Sequence, residues 1–188
     1  MGDLGGLLAR LTRDAGPRLA AYGFILTGSQ SEAEELVQEA IVKTFVRRPR
    51  LTEPAAAERY VRLAMKTLTI DKARKARRWR TAAPGLAESP VEVEHVTAIS
   101  TRVAVEKALG ALTPQQRIAV ALRYWDDMTV PEVAQAMHLN PGTVKRYLHD
   151  AAGSLRPLLG EHIEPDDDGD DIRVVGARNA NGRGGRRR

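Results

Sequence analysis

Residues 129–149 read TVPEVAQAMHLNPGTVKRYLH, from Thr129 to His149, and they spell two helices with a tight turn between them. Thr129 and Glu132 stand in the S/T-x-x-E spacing of a capping box, where hydroxyl and carboxylate each satisfy a backbone N–H that the first helical turn leaves free. Val133, Ala134 and Met137 then form one apolar face. Asn140 is a good N-cap for a second helix, and Pro141 fits its first position, where the missing N–H costs nothing. Val144 and Leu148, four apart, turn inward, while Lys145, Arg146 and His149 turn outward. A short apolar helix, a turn and a second helix with a basic outer face make the helix-turn-helix pattern, whose second helix enters the major groove of DNA. The same spacing would also serve a plain helical hairpin with a solvated basic face.

The rest of the chain narrows the choice. Of its 188 residues, 43% are hydrophobic, but only two Phe and two Trp are available to fill cores. Leu, Val, Ala and Ile must do that work, which suits small helical bundles. There is no cysteine, so disulfides and Cys-based metal sites are excluded. The four histidines have no metal-ligand spacing, and no metal or cofactor is expected. No apolar run approaches the ~20 residues of a membrane span. The stretch Met1 to Arg10 lacks a basic start followed by a long apolar core, so no signal peptide is expected and a cytoplasmic setting is the default. The net charge of +5 is modest, but it is unevenly spread. Residues 72–80 carry Lys72, Arg74, Lys75, Arg77, Arg78 and Arg80 without an acid, a positive patch suited to a polyanion.

Periodicity organises the remainder. Leu4, Leu7, Leu8 and Leu11 open a helical stretch over 3–26, which Gly16-Pro17 is expected to interrupt or divide and Gly28 to end. Ser31 with Glu34 forms a second capping box, opening a helix to about Arg47. Its stripe is Ala33, Leu36, Val37, Ala40, Ile41 and Phe45, and its polar face is Glu34, Glu35, Gln38 and Glu39. Pro49 and Pro54 bracket a loop, and a third helix over 55–80 has a middle apolar on most sides. Ala82-Ala83-Pro84-Gly85 and Glu88-Ser89-Pro90 are linker chemistry. A helix from near Ile99 to Leu109 follows. Thr113-Pro114-Gln115-Gln116 is a third capping signature and opens a helix to about Trp125, and Asp126-Asp127-Met128 is a turn. Residues 164–188 are Asp-rich and then Gly/Arg/Asn-rich, with little to build a core. The expected architecture is therefore all-α: a helical domain over 1–80, a flexible linker over 81–98, a helix-turn-helix domain over 99–160 and a disordered tail over 161–188.

At this point a family resemblance becomes specific. Ala33-Glu-Glu-Leu-Val-Gln-Glu39, continuing to Phe45, resembles the Ala-Glu-Asp-Leu-Val-Gln-Glu helix of bacterial sigma factors. Tyr60 to Asp71 and its basic continuation resemble the family's next helix. Leu112-Thr-Pro-Gln-Gln-Arg117, Arg123-Tyr124-Trp125 and Gly142-Thr-Val-Lys145 resemble its C-terminal DNA-binding domain. Two domains and a short linker, over about residues 4–160, are similar to the extracytoplasmic-function (ECF) group of the sigma-70 family. The resemblance implies an alternative sigma factor that directs promoter recognition and transcription initiation, with no catalytic role of its own. Its partners would be core RNA polymerase, through the β′ and β subunits, promoter DNA, and an anti-sigma factor as a regulatory partner.

The resemblance also implies roles for residues. Glu35, Leu36, Gln38 and Glu39 would dock on a β′ coiled coil. Lys66, Lys72, Arg74, Lys75, Arg77 and Arg78 would serve the −10 element, with Arg59 and Arg62 as weaker candidates. Trp79 would either stack on a base or pack against the domain or the linker. Thr143, Lys145, Arg146 and His149 would serve the −35 element, and Arg123 would touch a phosphate. Tyr147 and the Tyr124-Trp125 pair are read as packing residues. The chain departs from the family at Thr67, where Asn is usual, and at Ala64-Met65, where Ile-Ala is commoner, so its −10 preference is its own. Three rival readings stay open. A stand-alone helix-turn-helix regulator would bind duplex DNA tightly without polymerase and would need a dimer surface. A sigma mimic that sequesters an anti-sigma protein would have lost its basic faces. A nuclease would need metal-binding carboxylates beside the basic run.

Overall fold

The structure, a computed structural model, describes residues 4–82, 101–159, 163–165 and 172–174. The helices are α1 (Leu4–Thr27), α2 (Gln30–Arg47), α3 (Pro54–Ala82), α4 (Thr101–Gly110), α5 (Pro114–Val120), α6 (Val130–Met137) and α7 (Pro141–Leu159). The fold is helical, as the sequence pattern predicts, and its two units are α1–α3 and α4–α7.

In the first unit, α1 buries Leu7, Leu11, Ala15, Leu19, Tyr22 and Leu26 along one stripe. That stripe stays in register on both sides of Pro17, so the helix runs unbroken where a division is expected from Gly16-Pro17. Pro17 itself is exposed, and burial of both halves offsets the ~3 kcal/mol that an interior proline costs. Gly28 ends α1 with φ +75° and donates its N–H to the Phe24 carbonyl at 2.7 Å. The cap of α2 lies two residues earlier than the Ser31–Glu34 box suggests. Ser29 is the first extended residue after the Gly28 turn, and its hydroxyl accepts from the Glu32 N–H at 3.5 Å. On α3, Ala57, Val61, Met65 and Ile70 are buried, but Leu63 is half exposed, so the helix is one-sided rather than enclosed.

The second unit follows its capping signals closely. Thr113 and Gln116 exchange both capping-box bonds, at 2.8 and 3.3 Å. Thr129 and Glu132 do the same at 2.7 and 3.4 Å. The helix expected to reach Trp125 changes form on the way: Ala121–Trp125 is a wider π turn, closed by the Asp126 N–H to the Ala121 carbonyl at 3.2 Å. The left-handed His138 (φ 54°) ends α6.

The two units do not stand apart. One continuous apolar cluster joins Tyr22 and Leu26 of α1 to Ile118 of α5 and Leu122 of the π turn, and Phe24 and Ile25 pack against the cluster of Leu109, Leu112 and Leu155. The linker expected over 81–98 lies outside the described residues, apart from its first two, which finish α3. Within 161–188, expected as a disordered tail, Ile163–Pro165 (β1) and Ile172–Val174 (β2) pair antiparallel, Ile163 opposite Val174, and lie against α7. The β-branched Ile163, Ile172 and Val174 favour an extended backbone there. The rest of that stretch lies outside the described residues.

Candidate nucleic-acid interface

The start of α7 is fixed by Asn140. Its side-chain oxygen accepts from the Thr143 N–H at 2.8 Å and from the Thr143 hydroxyl at 2.9 Å. Val144 and Leu148 are buried, which turns Lys145, Arg146 and His149 to solvent on the opposite side. The four residues expected on a recognition helix are thus brought together at the open end of α7, with Thr143 half-buried at its base. Tyr147 is half-buried and packs on the core, with the Arg146 guanidinium 5.9 Å from its ring centre.

On α3 the basic residues divide. Lys72, Arg74, Lys75, Arg77 and Arg78 are exposed along the last turns, Arg74 and Arg77 beside a cleft shared with Met137, His138 and Tyr147, and Lys72 and Lys75 beside one shared with Glu32, Glu35 and Glu39. Lys72 stands 3.6 Å from Glu32, and Arg74 bonds Asp71 at 3.0 Å. Trp79 is 67% exposed, so it does not pack on the domain. Arg59 and Arg48 flank the Tyr60 ring at 5.2 and 3.8 Å. Lys66 belongs to a different group. Its ammonium lies 3.4 Å from the Asp126 carboxylate of the second unit, which also accepts from Arg62 at 2.9 Å and from the Tyr22 hydroxyl at 3.0 Å. Arg123 donates to the Met128 carbonyl at 3.0 Å. Trp125, read as core, is 44% exposed and faces Tyr22 across the junction, ring centres 6.3 Å apart.

On α2, Glu35 and Glu39 are exposed, with Gln38 beside them. Leu36, placed with them by the resemblance, is instead buried in the core, because it falls on the Ala33–Ala40 stripe. The exposed face continues into Val42 (63% exposed) and Val46 (75%), which sequence reasoning does not single out. Their spacing of four from Gln38 is the available signal. Asp126, Tyr22 and Arg117 also escape it, since each owes its setting to contacts between the units.

Among the described residues no helix is long and apolar enough to cross a membrane, and no cluster of three or more His, Cys, Asp or Glu could hold a metal ion. Sigma-70 region 2 matches residues 11–79, and Sigma-70 region 4 matches residues 102–155. The RNA polymerase sigma-E factor of Streptomyces coelicolor is 30% identical over 128 residues, which is 68% of this chain and 72% of that protein. The ECF RNA polymerase sigma factor SigE of Mycolicibacterium smegmatis is 26% identical over 160 residues, 81% of this chain and 61% of that protein. The sigma factor RpoE, solved in complex with the anti-sigma factor NepR from Bartonella quintana, is 22% identical with a TM-score of 0.49, covering 82% of this chain and 94% of that one. With the helix-turn-helix geometry and both matched regions in order, the chain belongs to the sigma-70 family of RNA polymerase sigma factors, in its ECF group.

Proposed function

We propose that this alternative sigma factor mounts on core RNA polymerase through α2 and grips promoter DNA at two places. The single observation that carries the reading is the pair of exposed cationic helix faces, one ending α3 and one opening α7, on separate helical units of one chain. Lys72, Arg74, Lys75, Arg77 and Arg78 meet −10 phosphates, and the exposed Trp79 is available to stack on an unpaired base. Lys145, Arg146 and His149 reach the −35 element from the exposed side of α7, whose positive dipole end favours an anion, and Thr143 bonds there when its hydroxyl turns from Asn140. Glu35, Gln38, Glu39, Val42 and Val46 form a mixed acidic and apolar face suited to a basic helix of the polymerase. An anti-sigma factor would compete for these same faces.

Residues 83–100 join the two units, and at ~3.3–3.6 Å per residue they set roughly 60 Å as the upper limit on the span between Ala82 and Thr101. The role is binding rather than catalysis, and the site of action is the cytoplasm, where polymerase and DNA are. In-vitro transcription with core polymerase, with and without this chain, tests the proposal. A promoter-specific transcript that depends on the chain is expected. A chain that fails to associate with core polymerase overturns it, whatever its affinity for bare DNA.

A further inference from the structure

The cleft beside Lys72 and Lys75 lies between α2, α3 and the start of α5 and measures about 560 Å³, a volume typical of small-molecule pockets. Its walls are largely apolar. Leu26, Leu36 and Ile118 are buried in them, and Leu68 adds the α3 side. The hydroxyls of those walls are satisfied: Thr27 donates to the Gly23 carbonyl and Thr69 to the Met65 carbonyl, each at 2.9 Å.

Arg117 is the exception. Its guanidinium lines the cleft, and among the described residues it makes one hydrogen bond, from Nη1 to the Leu109 carbonyl at 3.0 Å. Its Nε is buried with no partner. Burial holds its pKa below the usual range, and Glu32, the carboxylate whose charge offsets this, stands 3.6 Å from Lys72. A buried cation with five N–H groups and a single acceptor leaves bonding capacity that an anion can fill.

We propose that this cleft binds a small molecule with an aliphatic body and one carboxylate. The body lies between Leu26, Leu36, Leu68 and Ile118, and the carboxylate meets the planar fork of Arg117, which matches its two oxygens. Lys72 and Lys75 at the mouth favour the approach of an anion. The opposite polarity, an amine held by Glu35 and Glu39, gains less, because both carboxylates are exposed and already solvated. Glu35 and Glu39 also line the cleft, so a bound ligand stands against the face assigned to the polymerase. Its effect on transcription rests on the function proposed above.

Calorimetric titration of the full chain with decanoate, decanol and decylamine, all below micelle formation, tests the site. Decanoate should bind once per chain and raise Tm, and decanol and decylamine should bind about 10- to 100-fold more weakly, the loss expected for a charge-assisted bond. Arg117→Gln should weaken decanoate by the same factor and leave decanol unchanged, which a merely structural arginine would not do. Ala76→Trp, at an exposed position on the rim, should obstruct the cleft and weaken both. Circular dichroism confirms that each variant is folded, and the preference of the unsubstituted chain among the three probes decides the matter if one is not. No binding of decanoate at millimolar concentration, several equivalent sites per chain, or equal affinity for the three probes overturns the proposal. Decanoate should also lower transcription by holoenzyme carrying the unsubstituted chain and not by holoenzyme carrying Arg117→Gln. Equal transcription with and without saturating decanoate removes the regulatory consequence. If the chain supports no transcription at all, the proposed function fails, while calorimetry still decides the cleft.

Discussion

Arg117 lies across the α-carbon of Gly28, where a β-carbon would run into its guanidinium. The same guanidinium donates to the Leu109 carbonyl at 3.0 Å, and its burial holds its pKa below the usual arginine range. Gly28 is therefore required twice, once by its left-handed φ of +75° and once by the arginine above it. Gly28→Ala should destabilise the protein by about 1–2 kcal/mol from the backbone alone, plus whatever it costs to displace Arg117. A double-mutant cycle with Arg117→Ala separates the two. Urea denaturation should give a coupling of about 0.5–3 kcal/mol, and strictly additive costs would mean that the two residues do not meet.

Asn140 should act on stability and, through the proposed −35 contact, on recognition together. Asn140→Ala removes the acceptor shared by the Thr143 N–H and hydroxyl, at a cost of about 1 kcal/mol. In a chain of this size that is a fall in Tm of roughly 2–4 °C. Asn140→Asp keeps an acceptor at the cap and should preserve Tm, yet it adds a negative charge beside the end of α7 proposed to face DNA and should weaken −35 binding. Equal loss of DNA binding in both variants would show that the cap matters only through folding.

Local signals make most of this fold legible. The Thr113 and Thr129 boxes and the Asn140 cap involve residues three apart, and their hydrogen bonds form as the spacing dictates. The buried and exposed sides of α7 follow from period alone. What the sequence hides is long-range. Asp126 reads as one acid in a turn, and nothing in its neighbourhood points to Tyr22, Arg62 or Lys66, which lie 60 or more positions away. Leu36 falls on a docking face only because the resemblance carries a whole motif, whereas burial depends on which residues of that motif lie on the apolar stripe. Pro17 misleads for a related reason: local propensity disfavours it, but packing on both sides overrides propensity.

Tyr22, bonded to Asp126 across the junction of the two units, should give that junction a pH dependence. Burial, and then the Asp126 carboxylate, push its phenol well above the ordinary tyrosine value. A group raised in the folded chain contributes its stability below its ordinary pKa, about 10, and that contribution fades as pH climbs beyond it. The difference in 295 nm absorbance between the unsubstituted chain and Tyr22→Phe isolates this phenol. It should stay flat through pH 10 and rise above it, in step with a fall in the urea midpoint of the unsubstituted chain relative to Tyr22→Phe. In Asp126→Asn the rise should move to lower pH. A difference curve centred at pH 10 in the unsubstituted chain would show that Tyr22 is not held.

The two basic faces should fail differently when altered. On α3, the combined replacement of Arg74, Lys75, Arg77 and Arg78 by Ala should free the phosphates that the proposed function assigns to these cations. The slope of log K against log salt should flatten by about 0.7–0.9 for each phosphate set free, with little change in sequence preference. Within that set Lys75→Ala should cost more than Arg74→Ala, because Arg74 must first leave Asp71, 3.0 Å away. On α7, Lys145→Ala and Arg146→Ala should each weaken binding by about 1–3 kcal/mol against the cognate −35 sequence and much less against a scrambled one. Filter binding of holoenzyme to cognate and scrambled promoters across a salt series separates these outcomes. Equal weakening on both sequences at α7 would reassign Lys145 and Arg146 to the phosphate backbone, since a cation that reads base edges must lose most where those edges match.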